Sequence, residues 1–440
     1  MLKLQPWIFT IFIFICAAAH ATAQLPPSTK IVDSFGWEVS KSSLPIFDPE
    51  PSIISKMDFY SWISLSFVFL FATLTGSVGL SSASLTTGII LFGFQVHADE
   101  ALRLINITTF SAAVINNLFV ITVRRQDDAD ELYLDWGLAA YCLPQVFAGS
   151  MIGLVFKKAM PEGYGYIATG LLILVLSYMA NKEANRIEMH EESGFQSNLS
   201  DRTWIRVTDS SAHFFKNLTS VARSSLLEIV SKNLLQILVI KFSVILMIVG
   251  NLARTWPAAQ SAIGLTSCSV LILLIFLACT GMISYLSYCA KQRVQTNYNP
   301  QRQMTLIITS FWAGVFFWSN PAGSVVFWLF LFILGVEPMT VWAVSSSQLF
   351  YTSLGAVIQD MLITPSKDYI TIGIFAGIGA LGALLGNFFI QRRFKSGYGA
   401  QSIVGKVGCL VSILSLTVMF FNGYQGRQDN SDFWRFGAFC

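Results

Sequence analysis

The segment "FFWSNPAGSVVFWLFLF", residues 316–332, raises the question of whether this chain is surrounded by water or by lipid. Small residues, polar residues and a proline, at 319–324, interrupt a run that is otherwise aromatic and aliphatic. In a soluble protein this pattern would predict a loop. In the hydrocarbon core of a membrane, each unsatisfied backbone group costs several kcal/mol, so a break is tolerated only against protein or a water-filled cavity. The composition of the whole chain distinguishes these two environments.

The composition is that of a polytopic membrane protein. Of the 440 residues, 54% are hydrophobic and only 12% are charged, whereas about 25% are charged in a typical soluble domain. The lipid bilayer is therefore the first predicted partner. The formal net charge is only +3, and no basic run is interleaved with aromatic residues, so nucleic acid is not a predicted partner.

The N-terminal segment predicts entry into the secretory pathway. Residues 1–23 contain Lys3, then an apolar stretch, then small residues at Ala21 and Ala23, which is the layout of a cleavable signal peptide. An uncleaved first helix is the alternative. Either form predicts a multi-pass protein of the plasma membrane or an endomembrane.

Apolar stretches along the rest of the chain predict an all-α polytopic membrane protein. Five stretches, then two, then five are long or apolar enough to be membrane helices, which need about 20 residues each to cross. We expect two homologous repeats of broken and transmembrane helices, joined by two extra helices and a hydrophilic loop. The predicted segments are an extracytoplasmic segment 24–57, membrane repeat 1 at 58–180, a hydrophilic loop 181–234, linking transmembrane helices 235–290, membrane repeat 2 at 304–421 and a C-terminal tail 422–440.

An alignment of the chain with itself suggests the repeat. The shift that places Ser77 on Ser319 aligns the halves without a gap from Ala72 to Val123, and it also places Ser82 on Ser324. After an acidic loop the shift shortens, and Gly149 then lies on Gly382. The matched residues are glycines and polar residues inside apolar runs, whereas chance similarity would mostly match Leu, Ile and Phe. Duplication of this kind is typical of secondary transporters, whose substrate sites lie at the repeat interface.

The two aligned interruptions predict two broken helices. Ser319 and Asn320 are good N-caps, and Pro321 suits the first turn of the helix that follows. The aligned stretch "TGSVGLSSAS", residues 75–84, has similar ingredients. Two helix N-termini that face each other would bind an anion through backbone N–H groups without a buried Arg or Lys. The alternative is that the small residues only allow close helix packing.

The helices after the breaks carry polar side chains at helical spacing. Steps of three and four residues keep them on one face, where each amide can bind an anion or bond to a neighbouring helix. The candidate substrate-binding residues are Ser81, Ser82, Asn106, Asn117, Ser319, Asn320, Gly323, Ser324, Gln348 and Gln359.

The sequence contains no enzyme or metal signature. A P-loop, a nucleophile elbow and an HExxH motif are all missing, so we expect a protein that is not an enzyme. Seven cysteines and four histidines show no metal-ligand spacing, so no cofactor is expected. Asp360 and Glu337 are candidates for proton or cation coupling, although both lie near predicted helix ends, where a solvated position is the alternative.

At these residues the chain resembles the TauE/SafE family of sulfite exporters, and is closest to its eukaryotic branch. In the first half "GSVG", "IILFGF" and "LYLDWGLAAYCLPQVFAGSMIG" follow the family's order of a glycine-rich turn, an apolar segment and an Asp before a small-residue helix. In the second half "FILGVEPMTVWAVSSSQLFYTSLGAVIQ" resembles its Gly, acid, Pro and small-polar helix. The family's glycine-rich motifs are degenerate here, as "LSSASLTT" and "SNPAGSVV". The resemblance implies a secondary carrier for sulfite, organosulfonates or related small anions.

Two topologies and two functions remain open from the sequence. If each broken piece crosses, the repeats are inverted and the central loop is cytoplasmic. If two pieces make one crossing, the repeats are parallel and the loop lies outside. The first function is transport of small oxyanions by alternating access. The second is a non-transporting scaffold or complex subunit on the same fold, with a homo-oligomer or a membrane complex as partner.

The inverted topology predicts that the central loop carries no N-linked glycan. Two sequons, Asn198-Leu-Ser and Asn217-Leu-Thr, lie in this loop and would be glycosylated only if they faced the lumen. We expect endoglycosidase treatment to leave the electrophoretic mobility unchanged. A mobility shift that disappears in the Asn198→Gln/Asn217→Gln variant would contradict the inverted topology.

Overall fold

A computed structural model describes the following residues of the protein: 59–94, 96, 98–121, 134–159, 162–198, 233–255, 270–293, 300–316, 323–363, 368–395 and 400–429. All regular structure in these ranges is helical. The twelve helices are α1 Phe59–Val78, α2 Ala83–Phe94, α3 Ala98–Val120, α4 Trp136–Ala159, α5 Glu162–Asn198, α6 Leu234–Thr255, α7 Val270–Arg293, α8 Pro300–Phe316, α9 Gly323–Ile333, α10 Pro338–Ile363, α11 Tyr369–Lys395 and α12 Ala400–Asp429.

Several predictions from the sequence lie outside the described residues. These are the signal peptide 1–23, the segment 24–57 and the candidate residues Ser319 and Asn320. The predicted loop 181–234 is described only at its two ends, where α5 continues through Asn198 and α6 begins at Leu234.

Within the described ranges, five helices are long and apolar enough to cross a membrane, which agrees with the predicted membrane class. They are Phe59–Val78, Tyr164–Met189, Leu234–Asn251, Tyr369–Phe389 and Gln401–Phe420. Their outer faces are apolar: on α6, Leu238, Phe242, Ile245 and Val249 form an exposed stripe at helical spacing. A stripe of this kind is stable against lipid tails and would be an aggregation hazard in water.

Helices α1 and α2 form a hairpin rather than a continuous rod. The Ser61 hydroxyl near the start of α1 donates to the Gly93 carbonyl oxygen at the end of α2, over 3.1 Å. The turn between them contains Gly79 at φ 69°, a left-handed conformation that favours glycine. Leu80 N donates to Thr75 O over 3.0 Å, so the end of α1 is a Schellman cap. With 12 residues, α2 is about 18 Å long, shorter than a hydrocarbon core of about 30 Å. It nevertheless returns the chain to the level of Ser61, so the hairpin begins and ends on the same side, as two full crossings would.

Helices α8 and α9 are held together in the same way. The Arg302 guanidinium on α8 donates to the Leu334 carbonyl oxygen just beyond the end of α9. A second Schellman cap ends α9, with Gly335 at φ 73° and Val336 N donating to Leu331 O over 3.1 Å. With 11 residues, α9 is also a half-length helix.

The first helix of each half packs against a helix of the other half. Helix α1 crosses α11, where a methyl group on Gly386 would lie 2.3 Å from Thr73 O. Helix α8 crosses α4, where a methyl group on Gly149 would lie 2.0 Å from Phe311 O. Backbones approach this closely only because neither crossing residue has a Cβ atom. The two halves are therefore interlocked rather than placed side by side.

Two further pairs join the halves and run antiparallel. Helices α3 and α10 are connected by Asn106 with Asp360 near one end and by Asn117 with Ser346 near the other. Helices α5 and α12 are connected by an ion pair between Lys406 and Glu188. Helices α6 and α7 pack against α4 on the outside of this arrangement.

The helix crossing of α4 with α8 gives a stability prediction. Gly149→Ala forces a methyl group onto a backbone oxygen, and overpacking of this kind costs about 1–3 kcal/mol, so we expect a melting temperature several degrees lower. Gly281→Ala on α7 is the matched control, because no atom lies within 4 Å of its added methyl group. The readout is thermal unfolding of the detergent-solubilised protein. Equal melting temperatures for the two variants would contradict the crossing.

Candidate functional site

The first break ends in a serine-capped helix N-terminus, as the sequence predicts. The Ser82 carbonyl oxygen accepts from Thr86 N over 2.9 Å, so Ser82 is the N-cap of α2. The Ser81 hydroxyl accepts from Ala83 N over 3.1 Å and occupies one of the N–H groups that a helix start leaves without an intrahelical partner. The Ser82 hydroxyl is buried, and no hydrogen-bond partner for it is found among the described residues.

Helix α10 forms the wall against which this break packs. A methyl group on Gly79 would lie 2.5 Å from Ser346 Oγ and 2.6 Å from Trp342 O. The side chain of Ser346 is fully buried, and its hydroxyl has no partner within the described part of the chain. Two buried hydroxyls without a partner among the described residues, those of Ser82 and Ser346, therefore belong to this break and its wall.

Asn117 joins α3 to the same wall. Its side-chain nitrogen donates to Ser346 O over 3.0 Å, and its side-chain oxygen accepts from the Ser347 hydroxyl over 3.2 Å. The amide thus bonds to a neighbouring helix, which is one of the two uses that the sequence leaves open for it. Asn117 fixes Ser346 and Ser347 in position beside the break.

Asn106 lies apart from this cluster. It is 11 residues, or about 16 Å, before Asn117 along α3, and its side-chain nitrogen donates to Asp360 Oδ2 over 2.8 Å. Gln359, next to Asp360, is half-buried at the same end of the α3–α10 contact. The structure therefore separates Asn106 and Gln359 from Ser82 and Asn117.

Gln348 lies on α10, two residues after Ser346. Its side chain is fully buried, and its nitrogen donates to Thr352 Oγ1 over 3.3 Å. No donor to its side-chain oxygen is found among the described residues.

The second half-helix begins at Gly323 and Ser324, which are both buried. Helix α12 lies along α9, with Trp328 against Gly408 and Phe332 against Gly405. These two contacts show that α9 runs antiparallel to α12. Its N-terminus is therefore directed toward the part of α12 that follows Gly408.

The same part of α12 contacts the start of α2. The hydroxyls of Ser84 and Ser415 are 2.9 Å apart and share a hydrogen bond. Ser415 lies seven residues beyond Gly408, about 10 Å along α12. The N-termini of α2 and α9 therefore lie near the same part of α12, at one level of the bundle. The serine at the second break that is described, Ser324, is 1% exposed.

The sequence analysis missed a buried amide pair. The Asn387 side-chain nitrogen on α11 donates to Asn116 Oδ1 on α3 over 2.7 Å. Asn387 interrupts the apolar run "LLGNFF", which is a signal that could have identified it. The self-alignment places no polar residue opposite Asn387, so comparison of the two halves does not point to this position.

The cluster is polar but uncharged. Every Asp, Glu, Lys, Arg and His that the structure describes is at least partly exposed. The described residues also contain no group of three His, Cys, Asp or Glu side chains that could hold a metal ion. A ligand here would be bound by backbone N–H groups, hydroxyls, amides and helix dipoles.

Comparison with known proteins assigns no relative to the chain. No protein-family profile matches it. No curated protein and no solved structure matches it either. The candidate site must therefore be interpreted from its own geometry.

The two left-handed glycines give a matched prediction. Gly335→Ala forces alanine into a left-handed conformation, which costs about 1–2 kcal/mol, and its methyl group meets only the flexible end of Arg302. Gly79→Ala adds a clash with the Trp342 carbonyl oxygen, so we expect an additional loss of about 1–3 kcal/mol. Thermal unfolding of both variants tests this order. A smaller loss for Gly79→Ala would show that the break does not pack against α10.

Proposed function

We propose that the protein is a secondary transporter of small oxyanions that works by alternating access of two inverted repeats. The observation that carries the proposal is the pair of half-length helices, α2 and α9, whose N-termini lie at one level of the bundle near the same part of α12. This arrangement brings two positive dipole ends to one level of the bundle, and no buried cation is found there among the described residues. It suits a small anion such as sulfite or an organosulfonate, the substrate class that the TauE/SafE resemblance implies.

The exchanged helix contacts support the duplication. The self-alignment places Ala72 on Gly314 and Gly149 on Gly382. In the structure Gly382 packs against Ala72, and Gly149 packs against Gly314. The same contact therefore occurs twice with the roles of the halves reversed. A pseudo-two-fold axis produces this pattern.

The antiparallel α3–α10 pair supports the inverted form of the duplication. These helices occupy equivalent places in the two halves, and they run in opposite directions. Parallel repeats would make equivalent helices run in the same direction. The inverted form favours a central loop on the cytoplasmic side, with the protein in the plasma membrane or an endomembrane.

The lack of charged groups suits a carrier better than a high-affinity receptor. Each helix N-terminus is equivalent to roughly half an elementary charge, so two facing termini offset about one negative charge. Neutral donors release an anion more readily than a buried Arg would. The interlocked crossings of α1 with α11 and of α4 with α8 then act as the pivots of the two repeats.

Anion transport can be tested with Ser82, for whose hydroxyl no partner is found among the described residues. We expect proteoliposomes with the wild-type protein to accumulate labelled sulfite or taurine above empty vesicles. Ser82→Ala should leave the melting temperature within a few degrees of the wild-type value and weaken anion binding about tenfold, since one hydrogen bond to a charged group contributes about 1.5–3 kcal/mol. Ser66→Ala is the matched control, because the Ser66 hydroxyl is exposed and bonds only within α1.

Two results would contradict transport. Equal accumulation of sulfite, sulfate and organosulfonates with and without the protein would exclude the proposed activity. Co-purification of a stoichiometric membrane partner, with no anion-dependent rise in melting temperature, would favour the scaffold function instead. In that case the hydrophilic loop would be the docking surface.

A further inference from the structure

We propose that the Asn116–Asn387 pair and the end of α1 form a subsite for a monovalent cation beside the anion site. Asn116 is fully buried and Asn387 is 1% exposed. The two amides share one hydrogen bond. The second half of each amide, Asn116 Nδ2 and Asn387 Oδ1, has no partner among the described residues.

The unused oxygen does not depend on how the amides are oriented. If both amides rotate by half a turn, the donor and the acceptor of the shared bond exchange roles. One N–H group and one oxygen still remain without a partner. A buried amide oxygen left without a donor is unfavourable by about 1–3 kcal/mol in general, so the pair is suited to bind a group that the described residues do not supply.

The end of α1 lies next to this pair. The backbone of Gly386, the residue before Asn387, packs so closely on α1 that an added methyl group would lie 2.8 Å from Ser77 N. The Gly79 turn uses the carbonyl oxygens of Thr75 and Gly76. The carbonyl groups of Ser77 and Val78 belong to the last turn of α1, which provides no intrahelical donor for them. They lie at the negative end of the helix dipole.

These groups fit a small monovalent cation. All are neutral oxygens, which hard cations prefer. The carboxylates that a divalent ion requires are not among the buried residues that the structure describes. Carbonyls at interrupted helix ends bind the coupling ion in transporters of other folds. Since α2 begins at Ala83, only five residues after α1 ends at Val78, a cation at the end of α1 would lie close to an anion at the start of α2 and attract it.

The subsite is tested first without any oxyanion. We expect 100 mM Na⁺, against the same concentration of choline chloride, to raise the melting temperature of the purified protein by at least about 3 °C, since binding to the folded state alone stabilises it. Asn387→Leu should abolish the Na⁺ effect. Asn387→Asp should retain it with a half-saturating Na⁺ concentration roughly tenfold lower, because a carboxylate attracts a cation more strongly than an amide does.

Gln145→Leu on α4 is the matched control. Gln145 is also a buried amide in a membrane helix, but it bonds to the Ser284 carbonyl oxygen on α7, so its Na⁺ effect should equal that of the wild-type protein. Equal melting temperatures of the wild-type protein in Na⁺ and choline would overturn the subsite. An unchanged Na⁺ response in Asn387→Asp would overturn it too, even if Asn387→Leu does not fold. A water molecule bound at the pair gives no cation dependence and thus the overturning result.

The coupling of the two sites rests on the proposed function and is measured separately. We expect the half-saturating sulfite concentration in a thermal-shift titration to fall about tenfold when Na⁺ replaces choline. If no oxyanion binds, the transport proposal fails while the Na⁺ result of the first experiment still stands. If sulfite binds and is transported equally in Na⁺ and choline, the coupling between the two sites is overturned and the transport function remains.

Discussion

The whole arrangement depends on one constraint: backbone N–H and C=O groups inside a membrane must be paired within the protein. A continuous helix meets this constraint alone, and a broken one does not. The breaks next to α2 and α9 are therefore possible only where the other half of the chain covers them. Helix α10 covers the Gly79 turn, and α12 runs along both short helices. The close glycine crossings and the antiparallel pairs are the means by which each half supplies that cover.

Serines and glycines have different structural roles at the first break. Gly79 provides the left-handed turn that ends α1 and allows α10 to approach. Ser82 starts α2, and Ser81 binds a backbone N–H group of its first turn. For the hydroxyls that remain, on Ser82 and Ser346, no partner is found among the described residues. Buried polar groups without a structural task are the strongest indication that a ligand completes the site.

Local features could be predicted from the sequence, and long-range partners could not. The Gly and Ser residues at 75–84 and 319–324 predict helix interruptions, because these residue types break an apolar run. The structure has a turn at the first position and separate helices, ending at Phe316 and starting at Gly323, around the second. The sequence also grouped Asn106 with Asn117, since both lie on one helix face. The two residues are nevertheless about 16 Å apart along the axis of α3, and each bonds to a different residue of α10. The Asn116–Asn387 bond joins residues 271 positions apart, a pairing set by packing of three helices and not by any local pattern.

The exchange of helices between the halves also bears on how the protein is made. Helix α1 finds its partner in α11, which begins about 290 residues later in the chain. At about 5–20 residues per second of synthesis, the grooved face around Gly76 waits roughly 15 to 60 seconds in the bilayer before α11 emerges. During that time lipids or an insertion chaperone must cover the Gly79 turn and the half-length helix α2, because the later helices that pack against them have not yet been made. Neither half can be expected to reach its final form before nearly the entire chain has left the ribosome, so biogenesis is controlled by the last helices to be translated.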